Sequence, residues 1–243
     1  MKEEYVKKYS PALDRDMEYK TYGDQGHPVL VFPSQSGRFY DYQDFGMVDV
    51  LSSFINEGKI RLVCVDGIDG ETWSDANGDE QKRIELHERW FHYIVDELLP
   101  SVRHSEQETF IATGCSMGGY HAANFFFRRP DLFDTLLSLS GLYYAGFFFP
   151  HYTSSLVYDN SPYDFLSNMP AAHPYWELFR QRRIILCVGQ GAWEDNLLES
   201  TRRMDALLKE HHVPAWIDYW GHDVSHDWPW WRKQIVYFMG KLC

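Results

Sequence analysis

Residues 109–129 read TFIATGCSMGGYHAANFFFRR, and this stretch decides the fold. Residues 109–113 are typical of a buried strand, and residues 117–129 are typical of a helix. Between them, residues 114–118 match the pattern G-x-S-x-G. In the strand–turn–helix context of this pattern, the serine hydroxyl stands clear at the carboxyl end of a sheet, and the glycines let strand and helix approach closely. Ser116 is therefore a candidate nucleophile.

Strand-like and helix-like segments alternate on both sides of this stretch. Further strands are predicted at residues 29–32, 61–65, 135–140, 183–188 and 215–219, and further helices at residues 42–56, 83–103, 196–211 and 230–242. The alternation predicts an α/β fold with a mostly parallel central sheet and helices on both faces. Pro100 is expected to kink or end its helix. Residues 1–243 are predicted to form a single domain.

One aromatic-rich segment interrupts this rhythm. Residues 141–180 form an insertion or cap that either packs on the core or contributes to a substrate pocket. We name Tyr143 from this segment, together with Trp193 and Trp228, as candidate substrate-binding residues, because aromatic side chains suit an aryl or sugar face.

Composition excludes several classes of function. The chain has 23 Lys+Arg against 35 Asp+Glu, a formal net charge of −12, and such a surface repels nucleic acid and anionic membranes. Its four cysteines form no C-x-x-C motif, so a zinc ribbon or dithiol site has no support. The charged N-terminal residues 1–10 lack the apolar core of a secretory signal, and no apolar run is long enough to span a membrane. We therefore expect a cytoplasmic location with reduced thiols.

A serine nucleophile needs a histidine base and a carboxylate that orients it. In α/β-hydrolases the acid and then the histidine follow the serine along the chain. His222 and His226 both follow the last predicted strand, and Glu194 and Asp195 both follow the strand at residues 183–188. Only one of the two adjacent carboxylates can point inward, and both remain candidates.

The oxyanion that forms during attack on a carbonyl needs backbone N–H donors. The first is expected from Met117, directly after the nucleophile. The second is expected from the loop that follows residues 29–32, which reads PSQSGR. We expect the N–H of Gln35 to be this donor, with Ser34 and Ser36 as alternatives.

Several motifs carry a family resemblance in order and spacing. They are FHYIVDELLP at residues 91–100, GCSMGG at 114–119, PDLF at 130–133, SLSG at 138–141 and HDWPWWR at 226–232. Together they resemble the putative-esterase family of α/β-hydrolases, which includes esterase D, feruloyl esterases, enterochelin esterases and mycolyltransferases. The resemblance implies an α/β-hydrolase fold and favours His226 over His222 as the base. Pro33-Ser34 stands where the family has His-Gly.

The leading hypothesis is a serine carboxylic ester hydrolase that forms an acyl-enzyme on a small-molecule ester. It needs Ser116, His226 and either Asp195 or Glu194, and it needs no metal or cofactor. Acyl transfer or thioester hydrolysis on the same scaffold is the first alternative, and a non-catalytic binding protein is the second. Association into a homo-oligomer is left open.

Overall fold

A single eight-stranded sheet organises the protein, and the computed structural model describes residues 1–243. The strands are β1 (Glu3–Ser10), β2 (Arg15–Tyr22), β3 (His27–Phe32), β4 (Ile60–Val65), β5 (Phe110–Cys115), β6 (Phe133–Leu139), β7 (Arg183–Val188) and β8 (Trp216–Tyr219). Their order is β1-β2-β4-β3-β5-β6-β7-β8. The pairs from β4 to β8 are parallel, whereas β2 is antiparallel to both β1 and β4. The predicted mostly parallel α/β sheet is confirmed.

The N-terminal hairpin of β1 and β2 is the main addition to the predicted strands. Most side chains of β1 are exposed, because it is an edge strand that packs little of itself on the core. Its charged residues, among them Lys7 and Lys8, hide the alternation that marks a half-buried strand. Charges of this kind also keep an exposed edge from pairing with another chain.

Helices cover both faces of the sheet, as predicted. They are α1 (Asp41–Asp44), α2 (Met47–Asn56), α3 (Glu80–His92), α4 (Leu99–Val102), α5 (Met117–Arg128), α6 (Ser155–Asp159), α7 (Pro162–Ser167), α8 (Tyr175–Arg180), α9 (Asp195–Glu210) and α10 (Trp228–Leu242). A π-helix, Tyr93–Leu98, joins α3 to α4, and Pro100 lies in the first turn of α4 rather than breaking a continuous helix. None of the helices has the length and apolar character needed to cross a bilayer.

Alternation along the central strands divides the core into two layers. Leu30 and Phe32 pack with α3, α5, α8 and α9, whereas Val29 and Val31 pack with α2 and α10. The strands between the two layers are almost wholly buried, which is typical of parallel sheets. This rigid frame places the ends of β3, β5 and β7 at one edge of the sheet.

The aromatic segment, residues 141–180, folds into a short 3₁₀ turn and the helices α6, α7 and α8. Part of it lies in the core, because Tyr143, Trp176 and Phe179 are buried with α5 and α9. Another part, around Phe147 and Phe148, reaches the carboxyl edge of the sheet and lines a cavity there. Part of the segment therefore packs on the core and part of it lines the cavity.

Candidate active site

The turn between β5 and α5 holds Ser116 in a conformation that few residues adopt. Its φ is +59°, in a region that glycine adopts readily and L-residues adopt rarely. A Cβ atom added at Gly114 would lie 2.4 Å from the backbone of Gly118, and one added at Gly118 would lie 2.4 Å from the carbonyl oxygen of Phe32. Both flanking positions therefore require glycine, and the tight turn presents the serine at the carboxyl edge of the sheet.

The structure brings His226 to this serine. His226 Nε2 lies 2.8 Å from Ser116 Oγ, within hydrogen-bond distance. Its backbone N–H donates to the carbonyl oxygen of Ala192 at 3.0 Å, and its ring lies edge-on to Trp231 at a centroid distance of 4.8 Å. His222, the other candidate, is exposed and makes no side-chain contact with Ser116.

Glu194 provides the carboxylate that faces the histidine. Its Oε2 lies 3.4 Å from His226 Nδ1, and neither atom has another hydrogen-bond partner. Its Oε1 accepts from Ser140 Oγ at 2.7 Å, and that hydroxyl is itself 3.3 Å from Trp231 Nε1. Glu194 is only 1% exposed, so the carboxylate is held by this contact and not by water. A proton on Nδ1 would point at Glu194 and leave Nε2 free to accept from Ser116.

Asp195 is not at the site, contrary to one of the two sequence-based candidates for the acid. It is exposed at the first residue of α9, where a carboxylate is favoured by the positive end of the helix dipole. Trp193, at φ +70°, forms the turn just before this pair of carboxylates. Glu194 then points inward and Asp195 outward.

Gln35 and Met117, the expected oxyanion donors, line the same cavity as Ser116 and His226. The N–H of Gln35 donates to no protein acceptor, and Met117 is the first residue of α5, where N–H groups lack partners within the helix. Ser34 Oγ donates to the carbonyl oxygen of Cys115 at 3.2 Å and so ties this loop to the nucleophile strand. The arrangement suits stabilisation of a developing oxyanion.

The cavity beside Ser116 has a volume of about 330 Å³. Apart from His226, no ionisable acid or base of the Asp, Glu, Lys, Arg or His type lines it. Its apolar wall is formed by Met117, Tyr120, Leu142, Phe147, Phe148, Trp193 and Leu197. Sequence reasoning placed Phe147 and Phe148 in the aromatic segment without assigning them to the pocket. The run of three phenylalanines at residues 147–149 is the only sequence signal that points to them.

Of the three aromatic residues predicted to bind substrate, only Trp193 lines this cavity. Tyr143 does not line it, because this residue is fully buried in the core, with its hydroxyl 2.9 Å from Ser138 Oγ. Trp228 does not line the cavity either. It begins α10 and stacks on Phe45 at a centroid distance of 4.4 Å, outside the lining of the cavity.

Two buried histidines, His87 on α3 and His121 on α5, lie outside the lining of the cavity. His121 Nε2 is 3.0 Å from Asp69 Oδ1, and the ring of His121 stacks on that of His87 at 5.5 Å. His87 Nδ1 accepts from Trp73 Nε1 at 2.9 Å, and His87 Nε2 is 3.1 Å from Asn160 Oδ1. Burial, with the nearby charges of His121 and Arg128, holds the pKa of His87 well below its usual value of 6.5.

The chain is similar to known proteins both in sequence and in structure. A family model described as "Putative esterase" matches residues 10–242. Among solved structures, a ferulic acid esterase is 18% identical with a TM-score of 0.73, over 97% of this chain and 95% of that one. A fluorophosphonate-binding serine hydrolase from Staphylococcus aureus is 14% identical with a TM-score of 0.73, over 98% and 97% of the two chains.

An S-formylglutathione hydrolase from Agrobacterium tumefaciens is 12% identical with a TM-score of 0.71, over 98% of this chain and 93% of that one. At such identities, the likeness to these three structures establishes a shared fold. A search of curated protein sequences finds no match.

Proposed function

The chain belongs to the putative-esterase family, and from this premise we propose that it is a serine carboxylic ester hydrolase with a Ser116–His226–Glu194 triad. The observation that carries the proposal is the 2.8 Å contact between His226 Nε2 and Ser116 Oγ. A serine hydroxyl becomes a useful nucleophile only when a base of this kind can take its proton. The proposed substrate is a small-molecule ester.

In the first half of the proposed reaction, Ser116 Oγ attacks the ester carbonyl while His226 Nε2 takes the hydroxyl proton. The imidazolium that forms is stabilised by the Glu194 carboxylate on the side of Nδ1. The N–H groups of Met117 and Gln35 donate to the tetrahedral oxyanion. Collapse of this intermediate breaks the ester C–O bond, and His226 returns the proton to the alcohol that leaves.

The second half repeats the same steps with water. His226 takes a proton from water, the hydroxide attacks the acyl-enzyme carbonyl, and the serine leaves with the proton returned by His226. A different hydroxyl or a thioester substrate would use the same groups. Acyl transfer and thioester hydrolysis therefore differ from ester hydrolysis only in their substrates, and the same residues of the candidate site could catalyse all three reactions.

The proposal is tested by hydrolysis of a panel of p-nitrophenyl and aryl esters at neutral pH. We expect Ser116→Ala to lose at least about 10³-fold in kcat. We expect Ser105→Ala to retain wild-type activity, because Ser105 is exposed and does not line the cavity. Labelling of Ser116 by a fluorophosphonate is measured on the same samples.

The outcomes separate the alternatives. Turnover that depends on Ser116 supports the esterase. Labelling at Ser116 without ester turnover would support a transferase or thioesterase. If neither labelling nor turnover appears, the triad is inactive and the protein acts as a binding protein.

A further inference from the structure

Trp193 stands out in the lining of the cavity because its residue type does not suit its backbone conformation. Its φ of +70° belongs to the region that bulky L-residues avoid, at a cost of about 1–3 kcal/mol. Its side chain is nevertheless 85% exposed and pairs with no other aromatic ring. An exposed tryptophan at such a position adds no packing to the folded protein, so we look for the use of its ring in what the ring contacts when the cavity is filled.

Phe147, on the wall formed by the aromatic segment, is also exposed to the cavity, and its ring packs on other aromatic rings. Phe147 is 58% exposed and lies edge-on to Phe148 at a centroid distance of 5.1 Å. Phe148 in turn packs edge-on against Trp73 at 5.4 Å and Tyr120 at 6.0 Å. The exposed ring of Phe147 is thus carried on a buried aromatic cluster, and it lines the same cavity as Trp193.

The absence of charged side chains from most of the lining limits the kind of ligand that the cavity can bind. Its polar lining consists of Gln35, Ser116, Asn196 and His226, and no lysine or arginine reaches it. A carboxylate or phosphate entering this space would lose water without meeting a cation, and the formal net charge of −12 adds repulsion. A neutral, apolar group has no charge to desolvate and is not repelled by the negative charge of the protein.

We propose that Trp193 is a specificity-determining residue, and that the cavity it shares with Phe147 and Phe148 takes the planar, uncharged aromatic group of an ester. This rests on the proposed function, because the aromatic group is positioned there for attack by Ser116. Rings that meet an aromatic wall stack or pack edge-on with it, and such contacts favour planar groups over alkyl chains of similar area.

Two variants test the proposal without disturbing Glu194, the next residue. Trp193→Gly and Trp193→Asn remove the ring but keep the left-handed backbone, which glycine and asparagine tolerate. Trp216→Ala is the matched control, because Trp216 is 37% exposed on β8 and does not line the cavity. Three esters are compared: methyl cinnamate with a planar acyl group, phenyl acetate with a planar alcohol, and methyl butanoate with neither.

We expect both Trp193 variants to lose about tenfold in kcat/KM for one or both aromatic esters, mainly through KM, and to stay within about threefold of wild type for methyl butanoate. Which aromatic ester responds tells whether the acyl group or the alcohol occupies the cavity. We also expect their Tm to stay within about 2 °C of wild type or to rise, because the substitution relieves strain. A residue that served the fold instead would lower Tm and all three activities together.

A covalent reaction gives the same contrast without turnover. We expect the Trp193 variants to slow labelling of Ser116 by a phenyl-bearing fluorophosphonate and to leave labelling by a butyl-bearing one unchanged. If wild type and variants show the same ratio between aromatic and alkyl reagents, the role of Trp193 is overturned while the esterase stands. If wild type neither labels nor turns over, both the esterase and the role of Trp193 fail.

Discussion

Two of the protein's histidine–carboxylate pairs, His121 with Asp69 and His226 with Glu194, differ in what the second histidine nitrogen contacts. In the pair of His121 and Asp69, the residues are 1% and 3% exposed, the contact is 3.0 Å, and Nδ1 has no partner. In the pair of His226 and Glu194, the contact is a looser 3.4 Å, but the other nitrogen faces Ser116 Oγ at 2.8 Å.

We infer from this difference that, of these two histidines, only His226 is placed to act as a base, because only its second nitrogen faces a hydroxyl group. His121 has the tighter contact and is sealed among aromatic rings, so its pairing can only hold elements together. His226 keeps a longer contact that is free to shorten when the imidazole becomes charged, as is common for catalytic hydrogen bonds before substrate binds. The comparison predicts that one pair controls rate and the other controls stability.

The largest expected effect is on rate, at Glu194. Glu194→Gln keeps the size of the side chain but removes the charge that faces His226 Nδ1, so we expect kcat to fall by about 10²–10⁴-fold. Asp195→Asn is the matched control, because it makes the same change in the next residue, and we expect it to stay within about twofold of wild type. Ester hydrolysis at saturating substrate measures both. Equal losses in the two variants would contradict the assignment of the acid.

The next effect is on stability, at the buried pair. His121→Ala leaves the carboxylate of Asp69 buried without its partner, and we expect the free energy of unfolding to fall by about 3 kcal/mol. The kcat of the folded variant should stay within about threefold of wild type. Urea unfolding and ester hydrolysis are measured on the same preparation.

A double variant sharpens this prediction. Removing both partners, as in His121→Ala with Asp69→Ala, leaves no unpaired polar group, so the coupling between the two substitutions should be favourable. Strict additivity of the two losses would show that His121 and Asp69 do not stabilise each other. A large loss of kcat in folded His121→Ala would show that the two pairs are not separate in function.

The site residues that the sequence predicted are those whose signals lie within one short stretch of the chain. Ser116 was predicted because the strand, the turn glycines and the helix lie within one short stretch, and His226 because it follows the last strand at the position that the family resemblance favours. The choice between Glu194 and Asp195 was beyond the sequence, because it depends on the positive φ of Trp193, a conformation that its residue type does not suggest.

The aromatic residues show a second limit. Tyr143, Phe147 and Phe148 come from one segment, yet Tyr143 is fully buried and Phe147 is 58% exposed on the cavity. A high density of aromatic residues predicts that a segment packs on something, but the direction of each ring depends on tertiary contacts. For the same reason, the edge strand β1 was missed, since few of its side chains are buried.

A smaller effect on rate is expected at Ser140, which donates to Glu194 Oε1 at 2.7 Å. Ser140→Ala removes a hydrogen bond to a buried carboxylate, and we expect kcat to fall about tenfold because Glu194 is held less firmly. Ser138→Ala is the control: Ser138 is equally buried two residues away but bonds Gly119 and Tyr143 instead. If kcat falls as much in Ser138→Ala, the loss reflects packing rather than support of the acid.

The smallest expected effect is on the pH dependence of the free energy of unfolding, and it involves His87. Trp73 Nε1 can only donate, so His87 Nδ1 must accept, and the proton on Nε2 points to Asn160 Oδ1. Protonation would place a second N–H against that of Trp73. This geometry opposes the charged form together with burial and the neighbouring His121 and Arg128, which lower the pKa of His87 well below 6.5.

The sign of the resulting pH effect follows from proton uptake. In the unfolded chain, His87 binds a proton as the pH falls below about 6.5, while in the folded protein it stays neutral to lower pH, so the free energy of unfolding decreases through this range. His87→Gln can accept from Trp73 and donate to Asn160 without titrating. We therefore expect the stability difference between wild type and His87→Gln, measured by urea unfolding, to shrink from pH 7.5 to pH 5.5. Parallel stability profiles would show that His87 is protonated as readily in the folded protein as in the unfolded chain, and burial would then not keep His87 neutral.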